Sequence, residues 1–419
     1  MGAALEATAS PESGIRELWE RLRPHGKVDA QVLLTGPDAA EVTVDLAGSA
    51  GFAGYGGIDL PVHGLEGRII YADDVILFEK VSGFLGEAEM FFEGEFQPGG
   101  SLDLLATVRA LALDAPLREL VGTLAPEITP VLDRVDPTPD SWIDLTISVK
   151  RRSARLPLEF EAEVPRLGIR TVVRGIPLSV SGGPLQMEEG HLIARDLWFR
   201  AQEGVIRVRE ARLPREEGRY GWVLLDATQL HPIEHLKPFL GEGFVSALGA
   251  NLRVDLTNLR AEFNRGDGTV ILSGAIDLHR ATVPTEAATH LEPTGALSFS
   301  PLTLRLPGAP GEEVTFSGVV EYRGLNLNIP LDVQDMSGEL RVAEGRAGKS
   351  LLLRGALSGG TFTLYQRTVD QVSLNLEYTG DHLRLGNIDA HFYQGTLRGN
   401  VQAHLAAPGA FSSSSAPPM

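Results

Sequence analysis

The chain has 419 residues, a formal net charge of −18 and no cysteine. The absence of cysteine excludes disulfides and cysteine-ligated metals, and the acidic charge argues against a nucleic-acid partner, which is bound through clustered lysine and arginine. Because 43% of the residues are hydrophobic and 22% are charged, the composition is typical of a chain that buries a core.

Alternating apolar and polar residues are the dominant pattern along the chain. Because successive side chains of a strand point to opposite faces, each run predicts a strand with one apolar face. Together with 47 glycines and 26 prolines, the pattern predicts a mainly β fold of short antiparallel strands joined by tight turns. The clearest runs lie at residues 41–46, 144–149, 302–306, 361–364 and 373–378.

Three short helices are predicted between the strands, at residues 14–22, 115–135 and 232–248. Each helix leads into a strand that begins with an aliphatic residue and an aspartate. The three aspartates are Asp29, Asp144 and Asp255, with spacings of 115 and 111 residues. This recurrence indicates an internal repeat of several strands and one helix.

A proline-led strand that is followed by a glycine gives a second repeat marker. It occurs as Pro61 to Gly67, as Pro177 to Gly183 and as Pro330 to Gly338. Proline cannot donate a ladder hydrogen bond, so we expect it at the start or edge of a strand. The first two prolines are 116 residues apart and the last two are 153 apart, so we expect an insertion in the last unit.

The markers predict five segments. Residues 1–13 form a flexible N-terminus, 14–113 a first β-repeat unit, 114–230 a helix with a second, 231–405 a helix with a third that carries the insertion, and 406–419 a disordered, serine-rich tail. Repeat arrays need polar caps, and none is recognisable at the start, so we expect a segment of a longer repeat protein.

Two short motifs have a chemical and a structural interpretation. The segment from His231 to His235 has the H-x-x-E-H spacing of a zinc site. The equivalent helix start at 115–119 has no histidine, which favours a plain proline-led helix start. The Arg265-Gly266-Asp267 tripeptide is explained by turn chemistry between two strands.

The charged clusters likewise have a structural and a chemical interpretation. The paired acids Asp73-Asp74 and Glu188-Glu189 are typical of solvated turns. The basic run 150–155 is typical of a solvated strand end, and the alternative is that it binds lipid phosphate. No nucleophile elbow or phosphate-binding glycine loop occurs. The sequence therefore predicts no catalytic site, no metal and no cofactor.

Three segments resemble the AsmA-like superfamily, which includes TamB-type and YhdP-type envelope proteins. They are the helix, turn and aliphatic-Asp strand at 18–29, the Leu65–Ile69 segment with its echo at 336–340, and the aromatic, glycine and Thr-Leu pattern at 392–399, where Gln394 replaces a glycine. The resemblance implies an elongated, twisted antiparallel sheet that is curled into a groove, whose apolar inner face holds acyl chains between two membranes.

The resemblance predicts a non-enzymatic, periplasmic or cell-envelope segment that binds or conducts phospholipid and supports outer-membrane biogenesis. No run of 18 apolar residues and no secretory signal occurs, so we expect membrane contact through an anchor outside these residues or through a partner protein. The residues expected to contact lipid are Val42, Val44, Leu46, Leu145, Ile147, Val149, Leu302, Leu304, Leu306, Phe362, Leu364, Leu374 and Leu376.

Two other functions stay open at this point. The apolar strand faces could pack on each other, which would make the chain a structural scaffold that acts through protein partners. A polysaccharide-active β-solenoid enzyme would need clustered aspartate and arginine on one strand face, and no such cluster is recognisable in the sequence.

Overall fold

A computed structural model of the chain is nearly all β, with 85% of the described part in strands and 1% in helix. Its 24 strands belong to one antiparallel sheet, which confirms the predicted fold class. The structure describes residues 29–34, 40–55, 58–97, 100–114, 117–118, 136–153, 156, 159–173, 176–201, 204–214, 219–231, 252–264, 266, 268–280, 294–306, 313–328, 332–347, 351–379 and 382–404.

The chain divides into two compact units, residues 1–189 with 193–199 and residues 190–192 with 200–419. The predicted three-unit division and the groove stay predictions. The predicted helices at 14–22 and 232–248 lie outside the described residues, as do the N-terminus at 1–13 and the tail at 406–419. Of the helix predicted at 115–135, the structure describes Leu117 and Arg118, which are helical.

Unit 1 is built around two meanders of antiparallel strands. Its strands are β1 (Asp29–Leu34), β2 (Ala40–Asp45), β3 (Ser49–Tyr55), β4 (Ile58–Ala72), β5 (Val75–Leu85), β6 (Ala88–Phe96), β7 (Leu102–Ala112), β8 (Trp142–Arg151), β9 (Glu159–Val164), β10 (Leu167–Val173), β11 (Ile176–Gly182), β12 (Leu185–Glu188) and β13 (His191–Ala201). Strand β4 pairs with β3 through its first half and with β2 through its second half. Strand β8 pairs with β10 and β9 in the same way.

Unit 2 is an uninterrupted meander in which each strand from β14 to β24 pairs with the next. Its strands are β14 (Gly204–Pro214), β15 (Tyr220–Leu230), β16 (Leu252–Asn264), β17 (Thr269–Arg280), β18 (Thr294–Arg305), β19 (Val314–Asn328), β20 (Asp332–Ala347), β21 (Leu351–Leu364), β22 (Arg367–Thr379), β23 (His382–Phe392) and β24 (Gly395–His404). The alternating runs at 302–306, 361–364 and 373–378 lie in or beside three of these strands, β18, β21 and β22.

Every consecutive strand pair from β14 to β24 contains a β-bulge or similar register shift, as do four pairs of unit 1. Two features of the sequence accompany the bulges. A glycine faces several bulged residues, because a Cβ at Gly67 would lie 2.5 Å from the carbonyl oxygen of Lys80 and a Cβ at Gly274 would lie 2.6 Å from that of Asn258. The bulged residues, Lys80 and Asn258, both have a positive φ. Gly67 belongs to the proline-glycine marker, so this marker has a steric cause.

A carboxylate or amide on the neighbouring strand accepts the N–H of several bulged residues. Asp144 and Asp255, the second and third aliphatic-Asp markers, do this for Ala110 and Gln229. Asp226, Asn326 and Asn400 do the same for Asn258, Asp335 and Asn387. All five capped residues have a positive φ. The aliphatic-Asp repeat therefore marks strand pairs in which a bulge needs a hydrogen-bond acceptor.

Candidate functional site

One face of unit 2 is apolar and carries three of the predicted lipid contacts, Leu302, Leu304 and Leu376. Residues directly opposite in neighbouring antiparallel strands share one face of the sheet. A first apolar row runs across β17 to β23 through Val270, Leu304, Phe316, Gly345, Leu353, Tyr378 and Leu383. A second apolar row runs across β17 to β24 through Leu272, Leu302, Gly318, Val342, Gly355, Leu376, Leu385 and Val401.

Many side chains in the two apolar rows are only partly buried by their neighbours, so part of their apolar surface stays accessible. Leu302 and Val342 are buried, whereas Leu304, Phe316 and Leu376 are only partly buried. Residues on the inner faces of a packed sandwich form a continuous core, so partial exposure along both rows leaves apolar area available to a ligand.

Two glycines of unit 2, Gly345 in the first apolar row and Gly338 outside the rows, are each covered by an aromatic ring from the opposite strand. The Phe316 ring occupies the space above Gly345, where a Cβ would overlap it. Tyr322 lies over Gly338 in the same way, and its hydroxyl would be 2.7 Å from a Cβ there. Burial raises the pKa of Tyr322 to about 12. These pairs keep the face apolar where the backbone needs glycine.

The remaining predicted residues of unit 2 lie at one end of this face or beside it. Phe362, Leu364 and Leu374 pack against a buried cluster of Val369, Val372 and Ala390. Leu306 follows β18 and is exposed.

In unit 1 the predicted lipid contacts fall into two groups. Val42, Val44 and Leu46 are buried in one cluster with Ile76, Phe78 and Val81, so the protein itself covers them. Leu145, Ile147 and Val149 stay partly exposed on β8, opposite Val108, Ala106 and Leu104 of β7.

The opposite face of unit 2 is polar and carries ion pairs. Glu344 accepts hydrogen bonds from Arg346 at 2.6 Å and Arg354 at 3.1 Å, and Arg354 also donates to Glu377 at 2.9 Å. The bond from Arg346, with that from Arg354, lowers the pKa of Glu344. The bonds to Glu377 and Glu344 raise the pKa of Arg354. The two faces of the sheet therefore differ sharply in chemistry.

Several motifs take structural roles. Asp73 and Asp74 form the two-residue turn between β4 and β5, both with positive φ, and Tyr71 donates to Asp74 at 2.8 Å. The N–H of Gly266 donates to Asn264 at 2.8 Å, which is a turn-forming contact; Arg265 and Asp267 lie outside the described residues. The segment 392–399 forms the β23–β24 hairpin.

His231 follows β15, and its buried Nε2 has no hydrogen-bond partner among the described residues, whereas His235 lies outside them. Within the part of the chain that the structure describes, no group of three or more potential metal ligands occurs. In the basic run, Lys150 lies 3.7 Å from Asp103 and Arg151 donates to the carbonyl of Gly100.

Of the fifteen residues in the two apolar rows, sequence reasoning identified three, Leu302, Leu304 and Leu376. Val270 and Leu272 flank Ile271, so their segment has no clean alternation, and glycines at 318, 345 and 355 interrupt the apolar pattern. Among these three glycines, Gly345 faces an aromatic ring, that of Phe316, whereas Gly318 and Gly355 lie against backbone carbonyl oxygens of the neighbouring strands.

No protein-family model, curated protein or solved structure matches this chain. The resemblance to the AsmA-like superfamily therefore rests on the segments quoted above and stays a prediction. Among the described residues, no helix has the length and apolarity needed to cross a bilayer.

Proposed function

We propose that this protein is a non-enzymatic lipid-binding protein that holds phospholipid acyl chains against the two apolar rows of unit 2. The observation that carries the proposal is the continuity of the rows across seven and eight strands with partial exposure along them.

The dimensions and energies suit an acyl chain. Neighbouring strands are about 4.8 Å apart, so the second apolar row spans about 34 Å. One leaflet of a bilayer contributes about half of a hydrocarbon core of about 30 Å, so one acyl chain would lie across about three or four strands. Burial of each methylene contributes about 0.8 kcal/mol. Several chains could therefore bind side by side or in succession, which is the arrangement that conduction along a sheet requires.

The setting that we propose is the bacterial periplasm or cell envelope, where the protein would support outer-membrane biogenesis. The AsmA-like resemblance supports this setting, and an anchor or a partner protein would supply membrane contact. The net charge of −18 supports a partner other than nucleic acid.

A self-packed structural scaffold is the second candidate. The burial of Val42, Val44 and Leu46 in the unit 1 cluster favours it, because there the sheet covers its own apolar side chains. The two candidates differ in whether the apolar rows of unit 2 take up lipid.

Uptake of a fluorescent fatty acid by the purified chain tests the proposal. Leu304→Asp places a carboxylate in the first apolar row, and Ile271→Asp is the matched control, since Ile271 is 37% exposed on the polar face, paired with Thr303. Loss of contact with about two methylenes weakens binding by about tenfold. We expect this tenfold weaker binding for Leu304→Asp and little change in affinity for Ile271→Asp. Equal affinities of both variants and the wild type, or no uptake by the wild type, would favour the scaffold.

A further inference from the structure

A shallow depression on the polar face of unit 2 has a composition that differs from the rest of that face. It has a volume of about 530 Å³ and lies over β20 to β24. Its floor contains Ala356 of β21 and Gly386 of β23. Both pair directly with Asn375 of β22, which lies between them. These small residues leave space between the longer side chains around them. The charged residues that line it are Arg341, Arg354, Arg384 and Glu377.

Three arginines and one glutamate are an unusual lining in a chain with a net charge of −18. Arg341 lies 3.6 Å from Glu339, and Arg354 is bonded to both Glu344 and Glu377. These two arginines therefore have carboxylate partners, of which Glu377 lines the depression and Glu339 and Glu344 do not.

Arg384 is the arginine without a partner. Glu377 is directly opposite Arg384 in the β22–β23 register, but its Oε1 accepts the hydrogen bond of Arg354 at 2.9 Å. Within the part of the chain that the structure describes, Arg384 makes no ion pair or side-chain hydrogen bond. The amide of Asn375, diagonal to it in the register, is likewise without a hydrogen bond to the described residues. An unpaired guanidinium and an unpaired amide thus line one depression.

We propose that this depression binds a phosphomonoester, with Arg384 as its principal ligand and Asn375 as a second donor. A guanidinium offers a planar pair of N–H donors that matches two phosphoryl oxygens. The depression is shallow and open to solvent, so a phosphoryl group held there can carry an organic substituent that extends away from the sheet. The site lies on the face opposite the two apolar rows and does not depend on the lipid-binding proposal.

The phosphomonoester could come from a soluble metabolite or from a lipid headgroup. Glycerol phosphate, titrated by calorimetry, probes the first source. Binding to phosphatidylcholine vesicles with and without phosphatidic acid probes the second. We expect the wild type to bind at least one of these probes, and either source supports the proposal.

Arg384→Gln tests the assignment, with Arg323→Gln as the matched control. Arg323 has a 79% exposed side chain in the same unit and does not line the depression. Loss of one charge-assisted contact weakens binding by about tenfold, and we expect this for Arg384→Gln, with a change below about twofold for the control.

Gly386→Glu is a second, independent variant. A Cβ at Gly386 meets only the Asn400 side chain at 3.6 Å, so the backbone accepts a side chain there. The added carboxylate would occupy the depression and oppose an anion, and we expect it to abolish binding while the melting temperature stays near that of the wild type. Absence of binding to both probes by the wild type, or equal binding by wild type and Arg384→Gln, would overturn the proposal.

Discussion

The Oδ1 atom of Asp144 on β8 accepts a 2.9 Å hydrogen bond from the backbone N–H of Ala110, the bulged residue of β7. The other carboxylate oxygen lies 2.7 Å from Arg166. Asp144 is buried, so its loss would leave an N–H in the bulge without an acceptor. The same relationship recurs between Asp255 and Gln229 at 2.6 Å.

Asp144→Ala is therefore expected to destabilise the protein by about 1 to 3 kcal/mol, because the part-buried N–H of Ala110 loses its acceptor and Arg166 loses its carboxylate partner. Asp144→Asn keeps an oxygen acceptor and is expected to cost less. Asp103→Ala removes only an exposed pair with Lys150 at 3.7 Å and is expected to cost below about 0.5 kcal/mol. Urea unfolding measures all three, and similar midpoints for Asp144→Ala and Asp103→Ala would contradict the capping role.

Gly274→Ala tests the pairing of glycines with bulges. The added Cβ would lie 2.6 Å from the carbonyl oxygen of Asn258, and φ at Gly274 is 130°, a conformation that alanine avoids. We expect a loss of about 1 to 3 kcal/mol in the free energy of unfolding. Gly399→Ala is the control, because no atom lies within 4 Å of a Cβ there. If both substitutions cost the same, close approach is not the reason for the glycine.

Tyr322 predicts a pH dependence of stability. Its pKa is raised to about 12 by burial, whereas an unfolded tyrosine titrates near 10. The contribution of this phenol is therefore fully present below about pH 10 and is lost as the pH rises towards about 12, by about 2 to 3 kcal/mol at most.

Tyr322→Phe keeps the ring over Gly338 and removes the titration. The stability difference between the wild type and Tyr322→Phe is expected to fall over this pH range in chemical unfolding experiments, with the exposed Tyr365→Phe as a baseline. A difference that stays constant would contradict the burial of the hydroxyl.

The strands could be predicted from the sequence because their alternation is local. Residues 144–149 and 302–306 alternate, and both lie in or beside strands of the structure, β8 and β18. The recurrence of Asp144 and Asp255 is visible in the sequence, but their role depends on Ala110 and Gln229, which lie on neighbouring strands and carry no local signal. Bulges arise where two strands meet, so no single segment encodes them.

The candidate site was predictable only in part for a similar reason. Val42 and Leu304 have the same alternating context, yet Val42 is buried in the unit 1 cluster and Leu304 stays partly exposed in the first apolar row. Which apolar side chains a protein covers by itself depends on contacts between distant strands. The depression around Arg384 had no sequence signal, because it results from small residues on neighbouring strands.

Lipid extraction and mass spectrometry of wild-type protein purified without detergent test the central claim most directly. The lipid-binding account predicts phospholipid in at least stoichiometric amount, reduced by Leu304→Asp and retained by Ile271→Asp. Stable, monomeric wild-type protein that carries no lipid and takes up no fluorescent fatty acid would contradict it and leave a structural scaffold.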